Sequence, residues 1–208
     1  LERRVIEYLS RELNFNFKGK KVLMVSAVDR FGMAEALREA GANLVFGDLI
    51  FGLGIPIPLH SLEALSRVAR IIAPVIVQLP IKYIYPTGAK QENSSPKFEN
   101  FYQEAEIIAG DYHFIKKHMP HVLAGKTIIT NTVTMGDIEE LRRRKVELLI
   151  TTTPELAGRS FGTNVMEGVL VSLAEKNPEE LNREHFEKLL DKIGFKPRIE
   201  YLQKQKEA

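Results

Sequence analysis

Apolar and polar positions along this chain change period repeatedly, from helical spacing to short continuous runs and back. Val5, Ile6, Leu9 and Leu13 recur at helical spacing and predict an amphipathic helix over residues 2–13. Residues 14–20 are a connector in which Phe15 and Phe17 can pin the chain to a core. Residues 22–25 are an apolar run, the pattern of a strand buried on both faces. A polar turn over 26–30 follows, and Phe31, Ala34, Leu37 and Ala40 return to helical spacing. Gly41 suits a left-handed helix C-cap. Residues 43–47 form a second apolar run with Asp48 just past its end. This strand–helix–strand unit predicts a right-handed crossover and a parallel sheet.

The same alternation continues to the C-terminus. Gly52, Gly54, Pro56 and Pro58 predict a non-helical, packed loop over 49–60. Ser61 is placed to cap a helix over 62–73. The apolar stretch 68–84 holds Arg70, Gln78 and Lys82 and is broken by Pro74 and Pro80, so it reads as buried helix plus a bent segment, not a membrane span. Residues 85–98 read as a long polar loop of the kind that forms lids or binding loops. Further strands are predicted over 106–109, 127–130 and 146–150, with helices over 99–104, 112–119, 136–144, 164–176 and 178–193. In the helix over 164–176, Val165, Val169, Leu170 and Leu173 are expected to face inward. A loop is expected over 155–163, and a charged tail after the last helix.

Five strands alternating with helices predict an α/β fold. It is a Rossmann-like, doubly wound three-layer sandwich with a mainly parallel five-stranded sheet in the order 3-2-1-4-5. The 208 residues suffice for one such domain, with 1–19 as N-terminal helix and connector and 177–208 as C-terminal helix and tail. A chain that begins inside a helix reads as part of a longer protein. The formal net charge is +2 and no basic stripe with interleaved aromatics is present, so a nucleic-acid partner is not expected. The absence of cysteine excludes disulfides, thiolate zinc sites and cysteine nucleophiles, and fits a cytoplasmic protein.

Ligands in open α/β sheets bind beyond the carboxyl ends of the strands. Those ends carry Ser26, Asp29 and Arg30; Asp48; Asp111 and His113; Thr130, Asn131 and Thr132; and Thr152 and Thr153. The first turn aligns poorly with the G-x-G-x-x-G fingerprint. With its last position on Gly32, Ala27 and Asp29 take the other two places. Asp29 would face a phosphate unfavourably, and it can equally cap the helix beginning near Arg30. An acid about 20 residues on, here Asp48, is where a ribose hydroxyl is held in a dinucleotide domain. In GRSFGTN, Arg159, Ser160 and Thr163 precede a helix N-terminus and make a candidate anion site, or a loop capped at Thr163 or Asn164. Asp111 and His113 have no third ligand marked beside them, so no metal site is expected.

Two stretches, VLMVSAVDRFGMAEALREAGANLVFGDLIFGLGIPIPL (22–59) and IITNTVTMGDIEELRRRKVELLITTTPELAGRSFGTNVMEGVL (128–170), resemble bacterial proteins carried under the name quinate 5-dehydrogenase, or quinate/shikimate dehydrogenase-like. In that family this portion is similar to the C-terminal, nucleotide-binding part. The resemblance implies an NAD(P)-dependent oxidoreductase acting on a small hydroxy acid. Ser26, Ala27, Val28, Asp29, Arg30 and Gly32 would face the phosphates, Asp48 the adenine ribose, and Asp111, Thr130, Asn131 and Thr132 the later strand ends. An acid at Asp48 favours NAD over NADP, whose 2′-phosphate it would repel. The family's catalytic Lys and Asp lie in its N-terminal substrate domain, and no position here matches them. The alternative is a non-enzymatic module that binds a nucleotide or another small anion. A homo-oligomer built on residues 49–59 or 75–85 is a further expectation, and no membrane partner is expected.

Overall fold

The computed structural model describes residues 1–78, 96–174 and 177–203. Most of the 85–98 loop and of the 75–85 segment therefore lies outside the described residues. The frame is a six-stranded sheet: β1 (Lys21–Met24), β2 (Asn43–Phe46), β3 (Ile107–Ala109), β4 (Thr127–Thr130), β5 (Leu148–Thr151) and, at one edge, β8 (Arg198–Tyr201). Strands β1 to β5 are parallel and β8 is antiparallel to β5. This is a Rossmann-like α/β fold.

Helices cover both faces. On one face, α1 (Glu2–Glu12), α2 (Phe31–Glu39), the start of α3 (Leu62–Ile76), α7 (Thr163–Leu173) and α8 (Arg183–Lys192) pack on Val22, Met24, Leu44, Phe46, Ile129 and Ile150. On the other, α4 (Glu99–Glu104), α5 (Tyr112–His118) and α6 (Met135–Arg143) pack on Leu23, Val25, Ile108, Ile128 and Leu149. Alternate residues of each central strand thus serve opposite cores, which is why those strands read as continuous apolar runs.

The sheet order is β2-β1-β3-β4-β5-β8, not the expected 3-2-1-4-5. Burial explains the difference. Ile107, Ile108 and Ala109 are all buried and pair with β1 on one side and β4 on the other. β2 has an exposed Asn43 and a half-buried Val45, which an edge tolerates. The strand order therefore reverses between β1 and β3. At that point Gly110 has φ +139°, and a Cβ there would lie 3.3 Å from the Ser26 amide nitrogen. Glycine lets the carboxyl ends of β1 and β3 come this close.

Several local expectations are corrected. The charged tail contains β8, whose Arg198 pairs with Glu200 at 2.6 Å while Ile199 lies opposite Ile150. The expected loop 49–60 opens with a π-helical turn, Asp48–Gly52, that buries Ile50 and Phe51. Helix α3 runs through Pro74 to Ile76. The 155–163 loop folds into a hairpin of β6 (Glu155–Leu156) and β7 (Arg159–Ser160). The last helix begins at a capping box on Asn182, after a short 3-10 turn, Pro178–Glu180. In α7, Met166 and Leu170 face the core, whereas Val165, Val169 and Leu173 are exposed. Among the described residues no helix is long and apolar enough to cross a membrane.

His118, at the end of α5, is buried with its ring 5.2 Å from that of Phe51. Burial, helped by Lys117 and Lys97, lowers its pKa from 6.5 to about 4. A base with a depressed folded pKa costs stability as pH falls, because the unfolded chain takes up the proton first. Between pH 7 and 4.5 this residue should remove roughly 2–3 kcal/mol. Urea midpoints at both pH values should show His118→Phe losing less stability than the wild type over that interval; equal losses would contradict the assignment.

Candidate functional site

The turn after β1 is held from inside the protein. Residues Val28–Arg30 make one 3-10 turn leading into α2, and no side chain within the turn caps it. Asp48, just past β2, does so instead. Its Oδ1 accepts hydrogen bonds from the Ala27 and Val28 amides, both at 2.9 Å. These are the donors a bound pyrophosphate would need. Burial raises the Asp48 pKa, the Val28, Ala27 and Asp48 amides oppose that rise and the Asp29 charge adds to it, and among the described residues its buried Oδ2 has no hydrogen-bond partner. Asp29 does not cap the helix; it accepts from the Ser26 hydroxyl.

Arg30 turns inward at the reversal point and is only 8% exposed. It pairs with Glu2 of α1 and, at 3.1 Å, with Asp111 Oδ2 beyond β3. Asn131, beyond β4, donates to the same Oδ2 at 3.1 Å and accepts from the Tyr112 amide at 3.2 Å. The other Asp111 oxygen caps α5 by accepting from the His113 amide at 2.9 Å. Burial works against the Arg30 charge, but Glu2, Asp29 and Asp111 more than offset it and its pKa is raised. Burial raises the Glu2 carboxyl, with Arg30 opposing. Thr130 lies beneath, donating to the Gly110 carbonyl at 2.8 Å.

A cleft of about 610 Å³ opens over this network. Among the residues predicted from sequence, Asp29, Arg30, Gly32, Asp111, His113, Asn131, Thr132 and Thr163 line it. Ser26, Val28 and Asp48 line a second, largely apolar groove of about 300 Å³ against α3, and Asp29 borders both. Ala27 and Thr130 are wholly buried. The three candidate anion ligands do not come together. Arg159 stacks over the Phe161 ring at 5.7 Å, Ser160 is buried 3.0 Å from the Thr151 hydroxyl, and only Thr163 reaches the cleft. Leu1, Glu2, Arg3, Gly162 and Asn164 also line the cleft, and the first three were not anticipated. Glu2 and Arg3 come from α1, whose reach to the strand ends leaves no mark in local sequence. Gly162 and Asn164 flank Thr163 at the α7 N-terminus, so the GRSFGTN pattern already pointed to them.

One wall of the cleft is thus a hydrogen-bonded cluster around Arg30, and the other is the amide end of α7. The half-exposed Asp29 carboxylate and the Thr132 side chain lie between. Among the described residues no group of three His, Cys, Asp or Glu side chains is placed to hold a metal ion. The arrangement can bind and orient a polar molecule. Removing Asp111 would leave Arg30 buried with one strong partner fewer and α5 uncapped. Asp111→Ala should cost about 3 kcal/mol or more. Asp111→Asn keeps an acceptor for the cap and should cost clearly less. Denaturant midpoints of the two variants check this, and equal effects would contradict it.

A family model described as Domain of unknown function (DUF8754) matches residues 1–202. No curated protein matches the chain. A crystal structure of a protein from Mycobacterium smegmatis is similar at a TM-score of 0.34 and 10% identity. The likeness covers 97% of this chain, which spans 56% of that one, and its score is too low to carry an argument. The family model spans nearly the whole sequence and includes every residue of the cleft, and the chain belongs to the DUF8754 family.

Proposed function

We propose that this protein is a binding module that takes a small polar molecule in the cleft between the carboxyl ends of β1 and β3. The observation that carries the reading is convergence. The β1 turn, the ends of β3 and β4, and the start of α7 meet at one cleft where the strand order reverses. Doubly wound sheets take their ligands at such points. About 610 Å³ is a common size for a small-molecule site. The Arg30–Asp111–Asn131 cluster supplies a wall that needs no reordering on binding.

Two features favour a compact ligand over a dinucleotide. Asp48 already holds the first-turn amides, and Glu2, Asp29 and Asp111 bring three carboxylates to the cleft. A diphosphate would meet no vacant amide pair at the first turn, where a dinucleotide domain supplies one. A molecule presenting hydroxyl or ammonium donors suits this lining better.

A second reading, an NAD-preferring domain of a quinate/shikimate dehydrogenase-like oxidoreductase, draws support from one feature. The cleft and the apolar groove meet at Asp29, so a long ligand has a path across the first turn, with Asp48 beside its apolar end. Calorimetric titration with NAD, NADP and ADP separates the two. We expect no binding of any of them to the wild type. NAD binding that weakens in Asp48→Ala would overturn the compact-ligand reading in favour of the dehydrogenase domain.

A further inference from the structure

The two edges of the sheet are finished differently. At the β2 edge the Phe46 amide donates to the Leu59 carbonyl at 2.8 Å and the Leu59 amide donates back at 3.1 Å, so the chain after β2 covers the end of that strand. β8 is the other edge, and among the described residues no strand pairs beyond it. The direction of its free backbone groups follows from the ladder. The Leu202 amide donates to the Glu147 carbonyl at 2.8 Å, and antiparallel pairs alternate between bonded and non-bonded. Glu200 opposite Leu149 and Arg198 opposite Thr151 are therefore the bonded pairs. The amides and carbonyls of Ile199 and Tyr201, like the Pro197 carbonyl, point away from β5 toward the open edge. Side-chain charge does not guard this edge. Arg198 is held by Glu200 at 2.6 Å and Glu155 at 3.6 Å, and Glu200 also meets Arg142 at 3.2 Å. Edges that must stay apart commonly carry uncompensated lysines, whereas the charges of β8 cancel.

We propose that β8 is a dimerisation edge, which pairs antiparallel with β8 of a second copy of this chain about a two-fold axis between the two Ile199 residues. The two sheets then become one. A two-fold axis sets the outward amides of each copy against the outward carbonyls of the other. In this register the two Ile199 residues exchange a pair of backbone bonds, and each Tyr201 amide meets the partner's Pro197 carbonyl. Arg198 stands opposite the partner's Glu200 on both sides of the axis, so opposite charges meet. Moving the axis to Glu200 would set two carboxylates against each other. This charge complementarity of the strand with itself favours a second copy over an unrelated strand. Four residues make a small contact, so the association is weak and rises with concentration. The edge lies outside the cleft and does not depend on what the cleft binds.

Sedimentation equilibrium of the whole chain, over roughly a hundredfold range of concentration, should show the mass rising from monomer toward dimer. Amide hydrogen exchange followed by NMR should slow at Ile199 and Tyr201 over the same range, with the Phe46 amide unchanged. Tyr201→Pro removes an amide that the β5 ladder does not use, at an exposed position, so the fold stays intact. It should weaken the dimer about tenfold or more, the size of two lost backbone bonds. Exchanging the charges, Arg198→Glu with Glu200→Arg, keeps an ion pair within each chain. That variant should dimerise with itself but about tenfold or more less well with the wild type, because like charges then face each other. Energy transfer between labelled chains reads the mixed pair. A chain that stays monomeric throughout overturns the proposal. A dimer that Tyr201→Pro leaves unchanged overturns it too, since the contact then lies elsewhere, as on the 49–59 loop. Free mixing of the wild type with the charge-exchanged chain overturns the register and the proposal with it. Should the exchanged chain not fold, Tyr201→Pro and the exchange rates decide alone. Ligand titration does not enter this test, so its outcome and that of the cleft reading are independent.

Discussion

A buried guanidinium is the constraint on which the site depends. Arg30 cannot shed its charge, and all but about 8% of its surface is withdrawn from water. It is tolerable only because carboxylates from two distant parts of the chain come to it. Glu2 arrives from α1, and Asp111 from the end of β3. Asp111 in turn orders Asn131 and the first turn of α5. One side chain therefore fixes the relative positions of α1, the β1 turn, β3 and β4. Such clusters add little net stability over a well-packed apolar core, but breaking one partner leaves an uncompensated charge. Their value here is geometric: they hold the wall of a cleft in one arrangement.

Asp48 plays the complementary part on the other side of the same turn. In a dinucleotide domain the amides after the first strand wait for a ligand phosphate. Here a side chain from the end of β2 meets two of them, and the turn is complete without any ligand. A carboxylate placed this way satisfies the donors and imposes a negative field on whatever comes next. The absence of a glycine fingerprint and the presence of Asp48 are then one fact. A turn closed by its own acid has no need for glycines that let a pyrophosphate approach.

Much of the frame was legible because it is written in short periods. The runs 22–25, 43–47 and 127–130 and the helical spacing of Phe31, Ala34 and Leu37 needed only local pattern. Gly41 was identifiable as a cap, and it has φ +83° with the Ala42 amide donating to Leu37 oxygen at 3.1 Å. What failed was non-local or balanced. Whether β3 falls beside β1 or beyond β2 depends on how completely Ile107–Ala109 must be covered. β8 was hidden because its charges pair with each other and with Arg142 across the sheet edge. α7 is apolar on both sides, so its periodicity could not say which side was inside. For the site, the polar strand ends named most of the cleft, but only the folded chain shows that Asp48 faces the groove and Asp29 borders both spaces.

The two spaces follow from how the turn is closed. Asp48 draws the Ala27 and Val28 amides toward β2, and Arg30, two residues later, points toward β3 and α1. The chain between them becomes a ridge with an apolar groove on one flank and a charged cleft on the other. Each flank is anchored by an ionic group spent on the backbone or on its opposite number, so neither acid cluster is simply solvated surface. A ligand on either side meets a wall already paid for in folding.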